Sequence, residues 1–269
     1  ELKEIDLIAV TVGPGLIGSL LVGMNAAKGI AYGLGIPLIG VNHLEGHLLA
    51  IFLQNKIGFP FISLVVSGGH TDIYRVNNFG QYKILGRTRD DAAGESFDKV
   101  AKMLGHKYPG GPIIEKMAKD GNSEAHKFPR AYLEKGSLDF SFSGLKTSVK
   151  TYINNRKTYK KGELTDNDIA AGFQDAVVDV LCKKIIIACE KEGLTRVVVT
   201  GGVAANGTLR KAVESACNRS GFKSWFPAPA LCTDNAAMIA CAGYHKFNSF
   251  PESKEDLLNL DAAASLVLD

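Results

Sequence analysis

The sequence predicts an α/β protein of two related lobes facing a cleft, and three observations carry that expectation. Apolar β-branched runs alternate with segments whose apolar residues recur at helical spacing. No low-complexity linker interrupts this alternation along the 269 residues. Each half of the chain also holds a strand-like run that ends in a glycine turn, Ser67-Gly68-Gly69 and Thr200-Gly201-Gly202.

The elements follow in order. Ile5 to Val12 reads as a buried strand, Gly13-Pro14-Gly15 as a turn, and Leu16 to Tyr32 as a helix crowded with small residues. Pro37 to Gly40 is a short strand, and Asn42 is placed to cap a helix carrying His43 and His47. This β-α-β-α unit favours parallel pairing. Phe61 to Val66, Thr71 to Val76 and Gln81 to Arg87 read as three strands of a meander. Residues 92 to 157 read as helices broken at Pro109-Gly110-Gly111-Pro112. Thr165 to Glu192 is a long helix, Arg196 to Val199 a buried strand, Ala205 to Arg219 a helix, Lys223 to Phe226 a strand and Asp234 to Phe247 a final helix. The tail from Pro251 shows no clear architecture. The expected division is a first lobe over 1–60, carrying the histidine helix, and a second over 61–269 with a helical insertion at about 92–160. The chain opens on Glu1 and enters its first strand almost at once, so a native segment is expected to precede it.

Composition narrows the class. Hydrophobic residues make up 46% and charged residues 22%, which fits a folded core and excludes a disordered chain. A net charge of +3 permits a nucleic-acid partner without arguing for one. The five cysteines are odd in number and form no C-x-x-C, so reduced thiols in a cytoplasmic protein are expected. No apolar run reaches the ~18 residues a membrane-spanning helix needs.

Four segments carry chemistry. In His43-Leu44-Glu45-Gly46-His47 the imidazoles lie four residues apart and share a helix face, where two can grip one ion. The zinc-peptidase signature needs Glu directly after the first His; Leu44 stands there, and a 100° step swings Glu45 away. The pair reads as metal ligands without a peptidase base, or as two surface histidines that happen to share a face. Asp234 supplies a distant carboxylate, and two imidazoles with one carboxylate suit Fe or Zn. The two glycine turns expose backbone N–H groups that can hold a nucleotide phosphate, although hairpins use Gly-Gly for shape alone. In Arg89 to Lys99 the acids either complement a helix dipole or act on substrate, with Asp98 best placed to reach a sugar hydroxyl. Asp139-Phe140-Ser141-Phe142-Ser143-Gly144-Leu145-Lys146 is either a substrate loop or a capped helix start.

Taken in chain order, these segments resemble the TsaD family of tRNA N6-adenosine threonylcarbamoyltransferases, bacterial branch. The matching stretches are Gly13 to Leu16, His43 to His47, Val65 to Thr71, Asp90 to Lys99, Tyr108 to Pro112, Asp139 to Thr147, Gly201 to Asn206 and Cys232 to Ala237. The resemblance implies an actin, Hsp70 and sugar-kinase type of fold with two ribonuclease-H-like lobes, the first truncated at its N-terminus. It implies an acyltransferase that moves threonylcarbamoyl from threonylcarbamoyl-AMP to N6 of the adenosine 3′ of the anticodon, in tRNAs reading codons that begin with A. His43, His47 and Asp234 would bind one divalent metal ion, iron or zinc. Val65, Val66, Ser67, Gly68, Gly69, Asp98, Gly111, Glu115 and Asn206 would contact the adenylate. The partners implied are tRNA, a paralogous TsaB subunit and the TsaE ATPase. The basic, proline-containing tail common in bacterial members is replaced here by Ala264 to Asp269. No general base stands out. Competing readings of the same residues are a metallopeptidase, an ATP-dependent kinase of the same fold and a non-catalytic nucleotide-binding scaffold.

Overall fold

The computed structural model describes residues 1–134, 136–155, 164–249 and 259–268. In chain order the regular elements begin with β1 (Ile8–Gly13), α1 (Ile17–Leu34), β2 (Leu38–Asn42), α2 (His43–Leu49), β3 (Phe61–Val66), β4 (Thr71–Asn78) and β5 (Gln81–Arg87). They continue with α3 (Ala93–Met103), α4 (Gly110–Lys119), α5 (Ser143–Asn155), α6 (Asp166–Glu192), β6 (Arg196–Thr200), α7 (Gly207–Arg219), β7 (Lys223–Trp225), α8 (Pro229–Cys232) and α9 (Ala236–Ser249). Two compact units result, one from Glu1–Pro60, Val76–Lys83 and Pro227–Asp269, the other from Phe61–Arg75 and Ile84–Phe226.

In the first unit β1 and β2 pair in parallel, Ile8 opposite Leu38 and Val10 opposite Gly40. A parallel pair needs a crossover, and α1 supplies it. That helix buries Leu20, Met24, Ala27 and Ala31, spaced at three and four residues along one stripe, and stops at Gly35 in the left-handed region at φ 66°. β1 begins later than Ile5 because Leu2–Glu4 turns as a short 3-10 segment. The core of this unit joins Ile39 and Val41 of β2, Leu49 and Ala50, and Met238, Ile239 and Ala242 of α9. Residues 227–269 therefore fold with the first unit, whereas chain order had grouped them with the second lobe. Residues 259–268 have no regular structure but bond to the first strand's end, Ala263 N to Val12 O at 2.8 Å. Residues 251–258 of the expected tail, and 156–157 of the expected helical stretch, lie outside the described residues.

The second unit is built on most of a sheet of order β5-β4-β3-β6-β7, whose hairpin end Val76–Lys83 is grouped with the first. β3, β4 and β5 are sequential neighbours joined by short turns, the predicted meander. β6 then pairs with β3 in parallel, Ile62 opposite Val197 and Val65 opposite Thr200, and β7 pairs in parallel with β6. Three meander strands followed by two crossover strands on the far side of the first is the ribonuclease-H-like topology. All six residues of β3 are buried, as a central strand requires. α6 packs against α4, α5 and α7. Its start is fixed by a local exchange: Thr165 Oγ1 accepts from Asp168 N at 3.1 Å and Asp168 Oδ2 accepts from Thr165 N at 2.9 Å. Gly193 ends it at φ 64°.

Candidate functional site

The clearest constellation lies within the first unit. Asn42 caps α2, its Oδ1 accepting from Leu44 N at 2.8 Å, so the histidine helix starts where β2 ends. Leu48 and Leu49 are fully buried and seat the helix. His43 and His47 then stack one turn apart, ring centroids 4.9 Å apart and nearly perpendicular. His47 is fully buried and His43 is 21% exposed. Asp234 comes from the turn between α8 and α9, not from the final helix as the sequence suggested. The reason is local: Asn235 Oδ1 accepts from Met238 N at 2.9 Å and starts α9 at Ala236, two residues after Asp234. Asp234 Oδ1 lies 3.4 Å from His43 Nε2 and 3.2 Å from His47 Nε2. Hydrogen bonds from His43, then His47, hold its carboxyl well below the usual carboxylate range.

These spacings fit a bound cation. Ligand bonds of ~2.0–2.2 Å at a tetrahedral angle place neighbouring donor atoms ~3.3–3.6 Å apart. One donor atom from each of the three side chains can be chosen so that all lie within 4.8 Å of one another. Three protein ligands leave room for water or substrate, the pattern of catalytic rather than closed structural sites. Glu45 faces elsewhere. Its carboxylate accepts from the Tyr82 hydroxyl at 2.9 Å, and burial raises its pKa against the effect of that bond, of Lys246 and of the Asn42 backbone.

The expected adenylate residues belong to the second unit. β3 delivers Val65 and Val66, buried, to the turn Ser67-Gly68-Gly69. Ser67 is occupied by the turn itself: its N–H donates to His70 O at 2.8 Å and its carbonyl accepts from Gly94 N at 3.1 Å. Gly68 and Gly69 are exposed, and a Cβ on either would meet nothing within 4 Å. The second glycine turn is close-packed. Gly201 sits at φ 91°, and a Cβ there would come within 2.5 Å of Val66 O. Only glycine lets the ends of β3 and β6 approach this closely. Asp98 Oδ1 accepts from Gly110 N at 2.7 Å and so caps α4, whose second residue, Gly111, has open space where a side chain would be. Glu115 Oε1 accepts from Gly207 N at 2.9 Å. Asn206 caps α7 through Leu209 N at 2.9 Å and donates its amide to Gln174 Oε1 at 2.8 Å. Asp98, Glu115 and Asn206 thus each fasten one helix start to another segment, which fixes their positions. Gln174 and Thr71 were missed by sequence reasoning. Gln174 is buried and bonded to both Asn206 and Thr208; Thr71 is fully buried and its hydroxyl accepts from Ala93 N at 2.9 Å. Thr71 closes the family-matching stretch Val65 to Thr71, and Gln174 stands beside Asp175, so nothing local marked either one out from its polar neighbours.

The remaining two segments explain each other. Asp90 accepts from Phe142 N at 2.8 Å and from the Ser143 hydroxyl at 2.7 Å, so it caps α5 from 53 residues away. Asp91 pairs with Lys99 at 2.8 Å and with Lys146. The acids of 90–91 therefore complement the start of a different helix, and the 139–146 stretch is a capped helix start.

The family described as "TsaD: tRNA N6-adenosine threonylcarbamoyltransferase" matches residues 1–241. Proteins of that name are similar over most of the chain. One from Thermodesulfovibrio yellowstonii is 59% identical, covering 92% of this chain and 74% of that protein. One from Clostridioides difficile is 53% identical, covering 91% and 72%. One from Clostridium beijerinckii is 49% identical, covering 100% and 78%. Among solved structures, T. kodakarensis HypF aligns with a TM-score of 0.70 at 16% identity, over 96% of this chain and 42% of its own. Full-length HypF in its phosphate- and nucleotide-bound form aligns at 0.69 with 12% identity, over 94% and 40%. The chain spans about two fifths of the HypF length, and at such identities the likeness concerns the fold alone. Fold and site together define an actin/Hsp70-type α/β protein with a two-histidine, one-aspartate group suited to a single metal ion. Within that class, the chain belongs to the TsaD family of tRNA N6-adenosine threonylcarbamoyltransferases.

Proposed function

We propose that this chain moves the threonylcarbamoyl group from threonylcarbamoyl-AMP to N6 of the adenosine 3′ of the anticodon, in tRNAs reading codons that begin with A. The observation that carries the reading is the convergence of His43, His47 and Asp234 in a chain 59% identical to a protein named for this transfer. The chemical difficulty is that an exocyclic adenine amine is a weak nucleophile, its lone pair delocalised into the ring. A mixed anhydride compensates by offering AMP as leaving group. The N6 lone pair forms the new C–N bond, the C–O bond to phosphate breaks with its electron pair leaving on AMP, and N6 releases a proton.

Val65 to Gly69, Asp98, Gly111, Glu115 and Asn206 hold the adenylate in this reading. The exposed Gly68 and Gly69 turn offers backbone donors to phosphate, and Asp98 and Glu115 each commit one named oxygen to the protein, which leaves the second suited to a ribose hydroxyl. An iron or zinc ion on His43, His47 and Asp234 would supply electrostatic stabilisation to charge developing on the departing phosphate or the substrate carboxylate. Peptide hydrolysis is disfavoured because Glu45 is committed to Tyr82. In this reading the work is cytoplasmic, and TsaB and TsaE serve repeated turnover.

The test incubates purified protein, with TsaB and TsaE supplied, with threonylcarbamoyl-AMP and a tRNA transcript, and weighs the digested nucleosides by mass spectrometry. Metal is measured on the same samples. Threonylcarbamoyladenosine should form with wild type. With Asp234→Ala it should fall at least ~100-fold, the loss of one well-placed electrostatic stabiliser, while folding is retained. Full activity in a metal-depleted Asp234→Ala protein would remove the ion from the mechanism, and no modified adenosine with wild type would remove the transfer itself.

A further inference from the structure

α2 is only seven residues long, too short to hold its own orientation in isolation. Its aim nevertheless matters to a fraction of an ångström. Side-chain tips lie ~5–6 Å from a helix axis, so a 20° roll about that axis moves them ~2 Å, the whole length of a metal–ligand bond. Leu44, Leu48 and Leu49 are buried, and Gly46 approaches α9 so closely that a Cβ there would come within 2.7 Å of Ile239, so packing seats the helix and hydrogen bonds add direction to it.

Glu45 is placed to do so. It lies two residues from each histidine, and two steps of 100° put it on the opposite side of the helix. Its side chain is buried at 6% exposure and is held from two directions. The Tyr82 hydroxyl donates to Oε1 at 2.9 Å, and the Asn42 backbone N–H bonds the same carboxylate, returning it to the helix start. Tyr82 is itself buried and fixed, its hydroxyl accepting from Gly80 N at 3.1 Å. Close by, Lys246 of α9 donates to Gly40 O at 2.8 Å, on the strand that leads into α2. A leucine would avoid burying a carboxylate but would leave the Tyr82 hydroxyl without its acceptor and α2 without this directional bond. A buried carboxylate there is justified by direction, not by stability.

We infer that Glu45 and Tyr82 are positioning residues for the metal centre: their hydrogen bond sets the roll of α2 and thereby aims both imidazoles at Asp234. This rests on the proposal that His43, His47 and Asp234 hold a cation. Neither residue is a ligand, and neither touches substrate in this role.

The test titrates apoprotein with Zn²⁺ against a chelator indicator for affinity, and with Co²⁺ for the absorption bands that report ligand geometry. Four variants are compared with wild type, each below its own melting temperature. Tyr82→Phe loses only the hydroxyl and should bind Zn²⁺ about 10–100-fold more weakly, as removal of a ligand's supporting contact does elsewhere. Glu45→Gln keeps an oxygen able to accept from Tyr82 and should stay within a few-fold of wild type. Glu45→Leu leaves the buried Tyr82 hydroxyl without its acceptor, so it should melt lower, lose affinity and shift the Co²⁺ bands, whereas destabilisation alone should leave affinity and bands unchanged. Val213→Ala, buried in the second unit, should melt lower and bind as wild type. Wild-type affinity and spectrum in both Tyr82→Phe and Glu45→Leu would overturn the positioning role while leaving the metal centre standing. Failure of wild type to bind either ion would overturn the metal centre, and the positioning role with it.

Discussion

At the scale of single residues, burial and pairing pull two carboxylates in opposite directions. Asp234 is mostly exposed and is held ionised by its two histidines. Asp72 lies on β4 at 6% exposure, and burial lifts it to about 6, against the pull of Arg87 and a bond with Tyr74. The sign follows from linkage. A carboxyl whose folded-state pKa exceeds its unfolded value of ~3.9 binds its proton more tightly when folded. The contribution of Asp72 to stability is then fully present below about pH 4 and is lost as pH rises through 6, by roughly 3 kcal/mol in all. Urea denaturation between pH 4 and 7 should show this decline in wild type. Asp72→Asn should flatten it and be more stable by roughly that amount at pH 7. A slope unchanged by the substitution would assign the titration to another group.

At the scale of elements, the starts of helices decide where functional side chains stand. The caps of α2, α6, α7 and α9 are local, since Asn42, Thr165, Asn206 and Asn235 each bond an N–H two or three residues on. Locality made the position of α2 and the span of α6 readable in the sequence. Asn235 was equally local, yet the sequence reading started the last helix at Asp234, because Asp and Asn are both good caps and stand side by side. The start of α5 was not readable in this way, because its acceptor, Asp90, arrives from another segment. Nothing in the composition of 139–146 separates a free loop from a helix start capped at a distance. Asp90→Ala should cost ~1–2 kcal/mol, the range for loss of a helix cap. In the native state it should also speed amide exchange in the first turn of α5, leaving α2 unaffected. Unchanged protection at 142–146 would show that the Asp91–Lys146 pair alone holds that start.

At the scale of the whole molecule, the meander and the parallel crossovers followed from strand spacing and glycine turns. The grouping of 227–269 with 1–60 did not, since it depends on α9 burying Met238, Ile239 and Ala242 against Ile39 and Val41. Local patterns mark α9 as amphipathic without saying which strand it covers. The histidine pair was legible because four residues on a helix fix a geometry, and Asp234 because the family resemblance singled it out. The meeting of the three required the fold. A cation whose carboxylate ligand lies 187 residues from His47 binds the folded form far more tightly than the unfolded one. Zn²⁺ at ~100 times its dissociation constant should add ~2.7 kcal/mol, raising the melting temperature by several degrees. Asp234→Ala should melt at one temperature with or without the ion, and an equal rise in that variant would locate the binding elsewhere.

The 187 residues between His47 and Asp234 also set an order of events during synthesis. A ribosome adding ~5–20 residues per second needs ~10–40 s to cover that distance. Throughout this interval both imidazoles have been made and have no carboxylate partner, while the five strands from 61 to 225 are being added. On the proposed function, an ion would load among the last steps of the protein's birth, and a nascent chain stalled short of Cys232 carries the histidines without the third member of the group.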